Sequence, residues 1–270
     1  MRARTTTAMR IDVLKAARRS PTAAALVIIA IVPLVAACGQ SASDSPPQGR
    51  SWAEIAKLPD WGGVWEFDFR TGTKSQSPPK LTQKAEAESK AFVDGRARGE
   101  NLQSVLANCV PPGLIGIMAQ PYPIEFLFTP GKVTIAIETH SQMRRIFTDG
   151  RAHPDDPDPA WQGHSIGRWE GDTLVADSVA LDPTAPLDDQ TGPPGIRLGE
   201  KTHVVERIRT IDDVHLQITT TIEDPTTFVE PWTIVRTYLR HRDWDMREYI
   251  CQQNNHDAAD SEGRPGLKLD

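Results

Sequence analysis

The chain has 270 residues, of which 39% are hydrophobic and 24% charged, enough for one large domain or two small ones with a real core. This composition excludes a polytopic membrane protein and a wholly disordered chain. The formal net charge is −6, and the first 37 residues carry six basic residues and one acid. Without them the net charge is −11, which phosphate backbones would repel, so no nucleic-acid partner is predicted.

The N-terminus has the organisation of a bacterial lipoprotein signal peptide. A basic stretch runs to Arg19 and an apolar run follows at 23–37, short for a bilayer span of roughly 20 residues. The letters VAAC at 35–38 match the lipobox, in which the cysteine, here Cys38, is lipidated and becomes the first mature residue. Gly39 is not the Asp that retains lipoproteins at the inner membrane, so a lipid anchor in the outer membrane, facing the periplasm, is predicted. The alternative is an uncleaved anchor or an ordinary signal peptide.

Composition predicts four segments. They are a signal peptide at 1–37, a lipidated Cys with a flexible Ser-, Pro- and Gly-rich tether at 38–57, a β-barrel domain at 58–255, and a disordered tail at 256–270. Two cysteines, Cys109 and Cys251, remain in the mature domain, and two thiols in an exported chain predict one disulfide. A free thiol pair or a catalytic Cys is the alternative.

Hydrophobic periodicity predicts mostly strands. Alternating residues indicate a strand at 61–69, with Trp65 and Phe67 on one face. Thr82 is the predicted N-cap of a short helix that ends near Gly95, and a second short helix is expected around 102–106. Further strands are predicted around 133–137 and at 142–148. Three hairpins follow, made of 164–169 with 173–181, 203–210 with 214–223, and 232–241 with 246–252.

These hairpins indicate an all-β fold. An antiparallel meander of about eight or nine strands would close into a barrel, with a short helical insertion. Arg207 and Arg236 occur in predicted strands, where side chains alternate between the two faces of the sheet. Either the faces that carry these arginines are exposed to solvent, or the lumen of the barrel is polar. A barrel of this size can hold one small ligand.

The letters GVW at 63–65 resemble the Gly-x-Trp signature of lipocalins. The resemblance implies a lipocalin-like barrel in which Trp65 closes one end and packs under an arginine from the last strands. Arg236, Arg240 and Arg242 are the candidates for that arginine.

A longer segment resembles a family of exported bacterial proteins. Residues 158–181 read DPAWQGHSIGRWEGDTLVADSVAL, and the family core reads close to GHSIGRWEGDTLVVDT. No activity is established for that family, so the resemblance implies kinship and export but no reaction.

Two arrangements of polar residues could form a functional site, but the sequence disfavours both. His153, Asp155, Asp156, Asp158 and His164 fall within 12 residues, and carboxylates with imidazoles can bind a divalent cation. The interspersed prolines favour a solvated loop, so no metal and no other cofactor is predicted. A hydrolase triad of His164, Ser165 and Asp177 is disfavoured, because adjacent residues of a strand point to opposite faces.

The preferred site uses two pairs of residues on strand faces. His164 and Arg168 share one face, as do His203 and Arg207 on a later strand. If both faces point into the barrel, they form a cationic patch with a general base, and Trp161 at the barrel mouth could stack on a ligand. The predicted catalytic residues are His164 and His203, and the predicted ligand-binding residues are Arg168, Arg207 and Trp161. The alternative is that both arginines pair with surface carboxylates on neighbouring strands.

Three functions remain open on the sequence. The first is a periplasm-facing lipoprotein that binds a small, partly apolar ligand in the barrel, with a carboxylate or enolate as one option. The second is an isomerase, lyase or hydratase with a barrel histidine as its general base, so enzymatic activity is undecided. The third is an envelope structural or interaction protein without a ligand. The predicted partners are a small molecule and the lipid bilayer.

Overall fold

The computed structural model describes residues 49–250 except 72–73, 76, 101–108 and 188–191. The predicted signal peptide, Cys38, Cys251, the C-terminal tail and the helix expected around 102–106 lie outside the described residues. Within the described residues, no helix is long and apolar enough to cross a membrane.

Nine strands of the described chain form a closed barrel. The described chain has ten strands in all, the nine of the barrel and the short β2: β1 Val64–Phe67, β2 Lys74–Ser75, β3 Ile124–Thr129, β4 Lys132–Ile137, β5 Gln142–Phe147, β6 His164–Glu170, β7 Thr173–Val179, β8 His203–Thr210, β9 His215–Glu223 and β10 Trp232–His241. From β3 to β10 each strand pairs with the next, and β1 pairs with both β3 and β10 to close the barrel. The two-residue β2 adds to β10. The predicted all-β, lipocalin-like barrel is confirmed.

Two details of the strand pairing differ from the sequence prediction. β5 and β6 pair in parallel, through Ile146 with Ser165 and Phe147 with Ile166. The long segment 148–163 makes this possible, since a parallel pair needs a crossover of about a dozen residues or more. The strand expected at 246–252 is wrong for its described part, because 246–250 contains no strand. β10 pairs with β9 on one side and with β1 and β2 on the other. Neither edge of β10 is therefore left for residues 246–250 to pair with as a further strand.

The described helices are short and few. They are α1 Trp52–Ile55, α2 Gln83–Ala97 and α3 Gly113–Ile117, with a 3-10 turn at Thr139–Ser141. The predicted cap of α2 is confirmed, since the Thr82 side chain accepts a hydrogen bond from the Ala85 N–H at 3.3 Å. α1 falls within the predicted tether, and the Gly49 carbonyl accepts a 2.7 Å hydrogen bond from Gly131. The chain therefore contacts the barrel before residue 58.

The resemblance to lipocalins places an arginine over Trp65, and Arg240 lies there. Its Cζ is 5.0 Å from the centroid of the Trp65 ring, within the range of a cation–π interaction. Its Nε donates to the Gly62 carbonyl at 2.7 Å and its Nη2 to the Asp60 carbonyl at 2.8 Å. These bonds tie the last strand of the barrel to the segment that precedes β1.

A layer of polar side chains separates two apolar clusters inside the barrel. On β8 the buried inward residues are Val204, Glu206 and Ile208, and the first and last belong to different clusters. The same change from apolar to polar and back occurs on β9 and β10. We call this set the polar layer, and each member is at most 1% exposed: Arg144, Ser165, Ser178, Glu206, Thr220 and Arg236. The sequence left open whether Arg207 and Arg236 face solvent or a polar lumen. Arg236 lies in a polar lumen, whereas Arg207 faces outward.

Arg144 and Glu206 are the centre of the polar layer. Nη2 of Arg144 lies 2.5 Å from Oε2 of Glu206 and donates to the Ser178 hydroxyl at 3.1 Å. Ser165 and Ser178 bond to each other at 2.7 Å. An ion pair this deeply buried depends on its geometry, because each charge loses its hydration.

Candidate functional site

The two predicted site faces lie on the outside of the barrel. The inward positions of β6 are Ser165 and Trp169, which are buried, and Glu206 is buried on β8. Side chains alternate along a strand, so His164 and His203, one or three positions away, must face outward. The expectation that they point into the lumen is therefore wrong.

Arg168 and Arg207 pair with a carboxylate on the outer surface. Nη2 of Arg168 lies 2.8 Å from one oxygen of Glu170, and Nη1 of Arg207 lies 2.9 Å from the other. The hydrogen bond from Arg207 and then that from Arg168 outweigh the effect of burial and lower the pKa of Glu170. Surface pairing of this kind was the alternative to a ligand-binding role, although Arg168 bonds within its own strand β6 and only Arg207, on β8, bonds across strands.

His164 and His203 do come together, through two residues that lie between them. We call His153, His164, Asp177 and His203 the imidazole cluster. Nδ1 of His153 is 2.8 Å from Nδ1 of His164, and Nε2 of His153 is 3.1 Å from Oδ1 of Asp177. Nε2 of His203 is 2.9 Å from the same oxygen, and its Nδ1 is 3.4 Å from Glu223. A continuous chain of hydrogen-bonding groups thus runs across β6, β7 and β8.

The cluster distributes charge unevenly. Burial lowers the pKa of His164, and the nearby His153 and Arg151 lower it further. Burial also opposes the charged form of His203, but the hydrogen bonds and charges of Asp177 and Glu223 outweigh it and raise the pKa of His203. As the pH falls, His203 therefore takes up a proton before His164 does.

His164 borders a cavity on the outside of the barrel, which we call the outer groove. The groove has a volume of about 360 Å³. The parallel pairing sets Ile146 opposite Ser165, so the preceding outward residues, Arg145 and His164, lie side by side. The groove is lined by Gln142, Met143, Arg145, Phe147, Ala160, Trp161, Gln162, Gly163, His164 and Ser165. Of the sequence-predicted residues, His164 and Trp161 share this cavity.

Two polar groups of the outer groove lack partners. Gln162 is only 9% exposed, and neither its Nε2 nor its Oε1 has a hydrogen-bond partner among the residues that the structure describes. Arg145 is exposed and makes no ion pair with any carboxylate in the described chain. A buried amide without a partner costs about 1–3 kcal/mol of stability. Gln162 therefore destabilises the fold unless another polar group, such as one of a ligand, bonds to it.

The sequence did not predict a functional role for Arg145 or Gln162, or a contact between Asp177 and His153. The alternation of Met143, Arg145 and Phe147 was visible in the sequence, but their proximity to His164 depends on the parallel pairing. Gln162 lies in a loop without a periodic pattern, so no local signal distinguishes it. The sequence indicated Asp177 only as a member of the disfavoured triad with His164 and Ser165, and the Ser165 side chain points into the lumen instead.

A second cavity, of about 550 Å³, has His153 in its lining. Its lining includes Asp155, Asp156 and Glu200, together with prolines of the 153–159 loop. Among the residues that the structure describes, no group of three or more His, Cys, Asp or Glu side chains is placed to hold a metal ion.

Comparison with known proteins assigns no family. No protein-family model matches the chain, and no curated protein matches it. The function is therefore argued from the chemistry of the outer groove and the imidazole cluster.

Proposed function

We propose that the protein is a lipid-anchored protein of the cell envelope that binds a small, partly apolar anion in the outer groove. The single observation that carries the proposal is the buried amide of Gln162, which has no partner at either polar atom within the described chain and shares the lining of the outer groove with Arg145. Native proteins satisfy most buried polar groups, and a ligand that bonds to both the amide and the guanidinium would supply the partners that Gln162 lacks in the described chain.

The lining also defines the ligand class. The guanidinium of Arg145 can donate two parallel hydrogen bonds to a carboxylate. Trp161, Phe147 and Met143 provide apolar surface for the rest of the molecule. The groove is small, at about 360 Å³, so it suits a compact molecule with one anionic end and one apolar end.

Calorimetric titration with phenylacetate tests this proposal. Arg145→Met should weaken binding by about 10- to 100-fold, the equivalent of a charge-assisted hydrogen bond worth about 1.5–3 kcal/mol. Gln162→Leu should weaken it by about 10-fold. Arg168→Met is the matched control, since that arginine lies on the same outer surface but pairs with Glu170, and it should leave binding unchanged.

Phenylacetamide, which has the same shape without the charge, should bind more weakly than phenylacetate to the unaltered protein. Equal losses in the Arg145 and Arg168 variants, or equal binding of the two probes, would contradict an anion site at Arg145.

A second candidate function is proton abstraction from a carbon acid, and the lowered pKa of His164 favours it. A neutral imidazole in the groove can act as a general base. The C–H bond next to a ligand carbonyl breaks, its proton moves to His164, and its electron pair forms an enolate before a proton from solvent returns. With phenylpyruvate in D₂O, the protein should speed deuterium incorporation above the uncatalysed rate, and His164→Phe should abolish the increase. Exchange at the uncatalysed rate in the unaltered protein would count against this activity.

The membrane anchor has a direct test. Cys38→Ala removes the thiol that would carry the lipid, so fractionated cells should show the protein moving from the membrane to the soluble fraction. Gln40→Ala, two residues further along, is the control and should stay with the membrane. A Cys38→Ala protein that remains membrane-bound and keeps its full N-terminus would contradict lipidation.

A further inference from the structure

We infer that Asp177 and His153 are positioning residues that fix the tautomer of His164 and make Nε2 its proton-accepting nitrogen. This inference deepens the second candidate function by assigning the atom that acts as the base. It is carried by the order of contacts in the imidazole cluster, from Asp177 through His153 to His164.

The first step is the contact between Asp177 and His153. An ionised carboxylate only accepts hydrogen bonds, so the 3.1 Å contact requires that Nε2 of His153 carries the proton. His203, whose Nε2 is 2.9 Å from the same oxygen, also donates to it. Both rings therefore donate to one oxygen of the same carboxylate.

The second step is the contact between His153 and His164, where the protonated nitrogen of His153 decides which nitrogen of His164 donates. A neutral His153 with its proton on Nε2 has a bare Nδ1, which can only accept. The 2.8 Å contact between the two Nδ1 atoms then requires that His164 donates from Nδ1. Neutral His164 therefore has its lone pair on Nε2, the one ring nitrogen left to meet a ligand in the outer groove.

The surrounding charges keep His164 neutral while the cluster holds a proton elsewhere. Arg151 lies close enough to act on His164, and Arg145 lines the same groove, so two cations oppose its protonation. Asp177 and Glu223 instead stabilise the charge on His203. The cluster thus separates the group that holds a proton from the group that accepts one.

The substrate class follows from this arrangement. A lone pair beside the guanidinium of Arg145 suits a molecule whose acidic C–H or O–H lies close to a carboxylate. The guanidinium would also stabilise the negative charge that develops when the proton leaves.

Nitrogen–proton correlation NMR of the histidine rings tests the inference without any ligand. At a pH of about 8, above the usual pKa of His, His164 should have its proton on Nδ1 and an unprotonated Nε2. His153→Phe removes the acceptor, so the proton of His164 should shift toward Nε2, the preferred site of an unconstrained imidazole. The control His215→Phe removes a histidine whose ring bonds to Asp212 and which lies outside the imidazole cluster, so it should leave the signals of His164 unchanged.

Asp177→Ala provides a second variant should His153→Phe fold poorly, and it should also increase the Nε2-protonated form of His164. A proton on Nε2 in the unaltered protein, or His164 signals that neither variant changes, would overturn the inference. Phenylacetate titration reports separately on the anion site. A wrong tautomer with intact Arg145-dependent binding would remove only this inference, and the correct tautomer without binding would remove only the proposed function.

Discussion

Replacing Arg144 with methionine should lower the free energy of unfolding by about 3–5 kcal/mol, the usual cost of removing one partner of a buried ion pair. Glu206 would then remain in the lumen at 1% exposure without the guanidinium that now lies 2.5 Å from it. Urea unfolding, followed by tryptophan fluorescence, measures the loss. Arg145→Met is the matched control, because the next residue along the same strand faces solvent and makes no ion pair in the described chain, so its stability should be nearly unchanged.

The double variant Arg144→Met, Glu206→Leu distinguishes the loss of the ion pair from the cost of leaving one buried charge without its partner. Removing both charges leaves no orphaned carboxylate, so the double variant should be more stable than Arg144→Met alone. Similar stability for Arg144→Met and Arg145→Met would mean that the polar layer does not depend on this pair.

The second large effect is expected from the predicted disulfide between Cys109 and Cys251. The second cysteine lies outside the described residues, so the pairing stays a prediction. A bridge between them would close a loop of about 140 residues and stabilise the protein by roughly 5 kcal/mol in the chain-entropy model. Cys109→Ser should therefore move the urea midpoint down strongly, and a reducing agent should do the same to the unaltered protein.

The control for the disulfide is the reduced Cys109→Ser variant, which should unfold at the same midpoint as the oxidised variant. Peptide mapping without reduction should recover the two cysteines in one linked fragment. Two free thiols in the native protein, or a midpoint that reduction leaves unchanged, would contradict the pairing.

The fold was predictable because its signals are local. Alternation marks the strands of the hairpins at 164–179 and 203–223, and the Thr82 cap marks the start of α2. Alternation also shows that His164 and Arg168 share a face, but not which face is inward. That depends on the other set of residues on β6, where buried Trp169 packs against Trp61 in the core.

The site was less predictable because it depends on contacts between distant segments. His153 meets His164 only after the 148–163 segment crosses back to make β6 parallel to β5. The same crossover brings Arg145 beside His164. The absence of a strand at 246–250 likewise follows from the pairing of β10 with β1, a closure that no hairpin pattern encodes.

The position of a bound anion tests the central claim most directly. A crystal structure of the protein with phenylacetate should show its carboxylate on Arg145, a hydrogen bond to the Gln162 side chain, and its ring against Trp161 or Phe147. Phenylacetate in the barrel lumen, or at another surface while Gln162 stays without a partner, would contradict the proposal that the outer groove is the binding site.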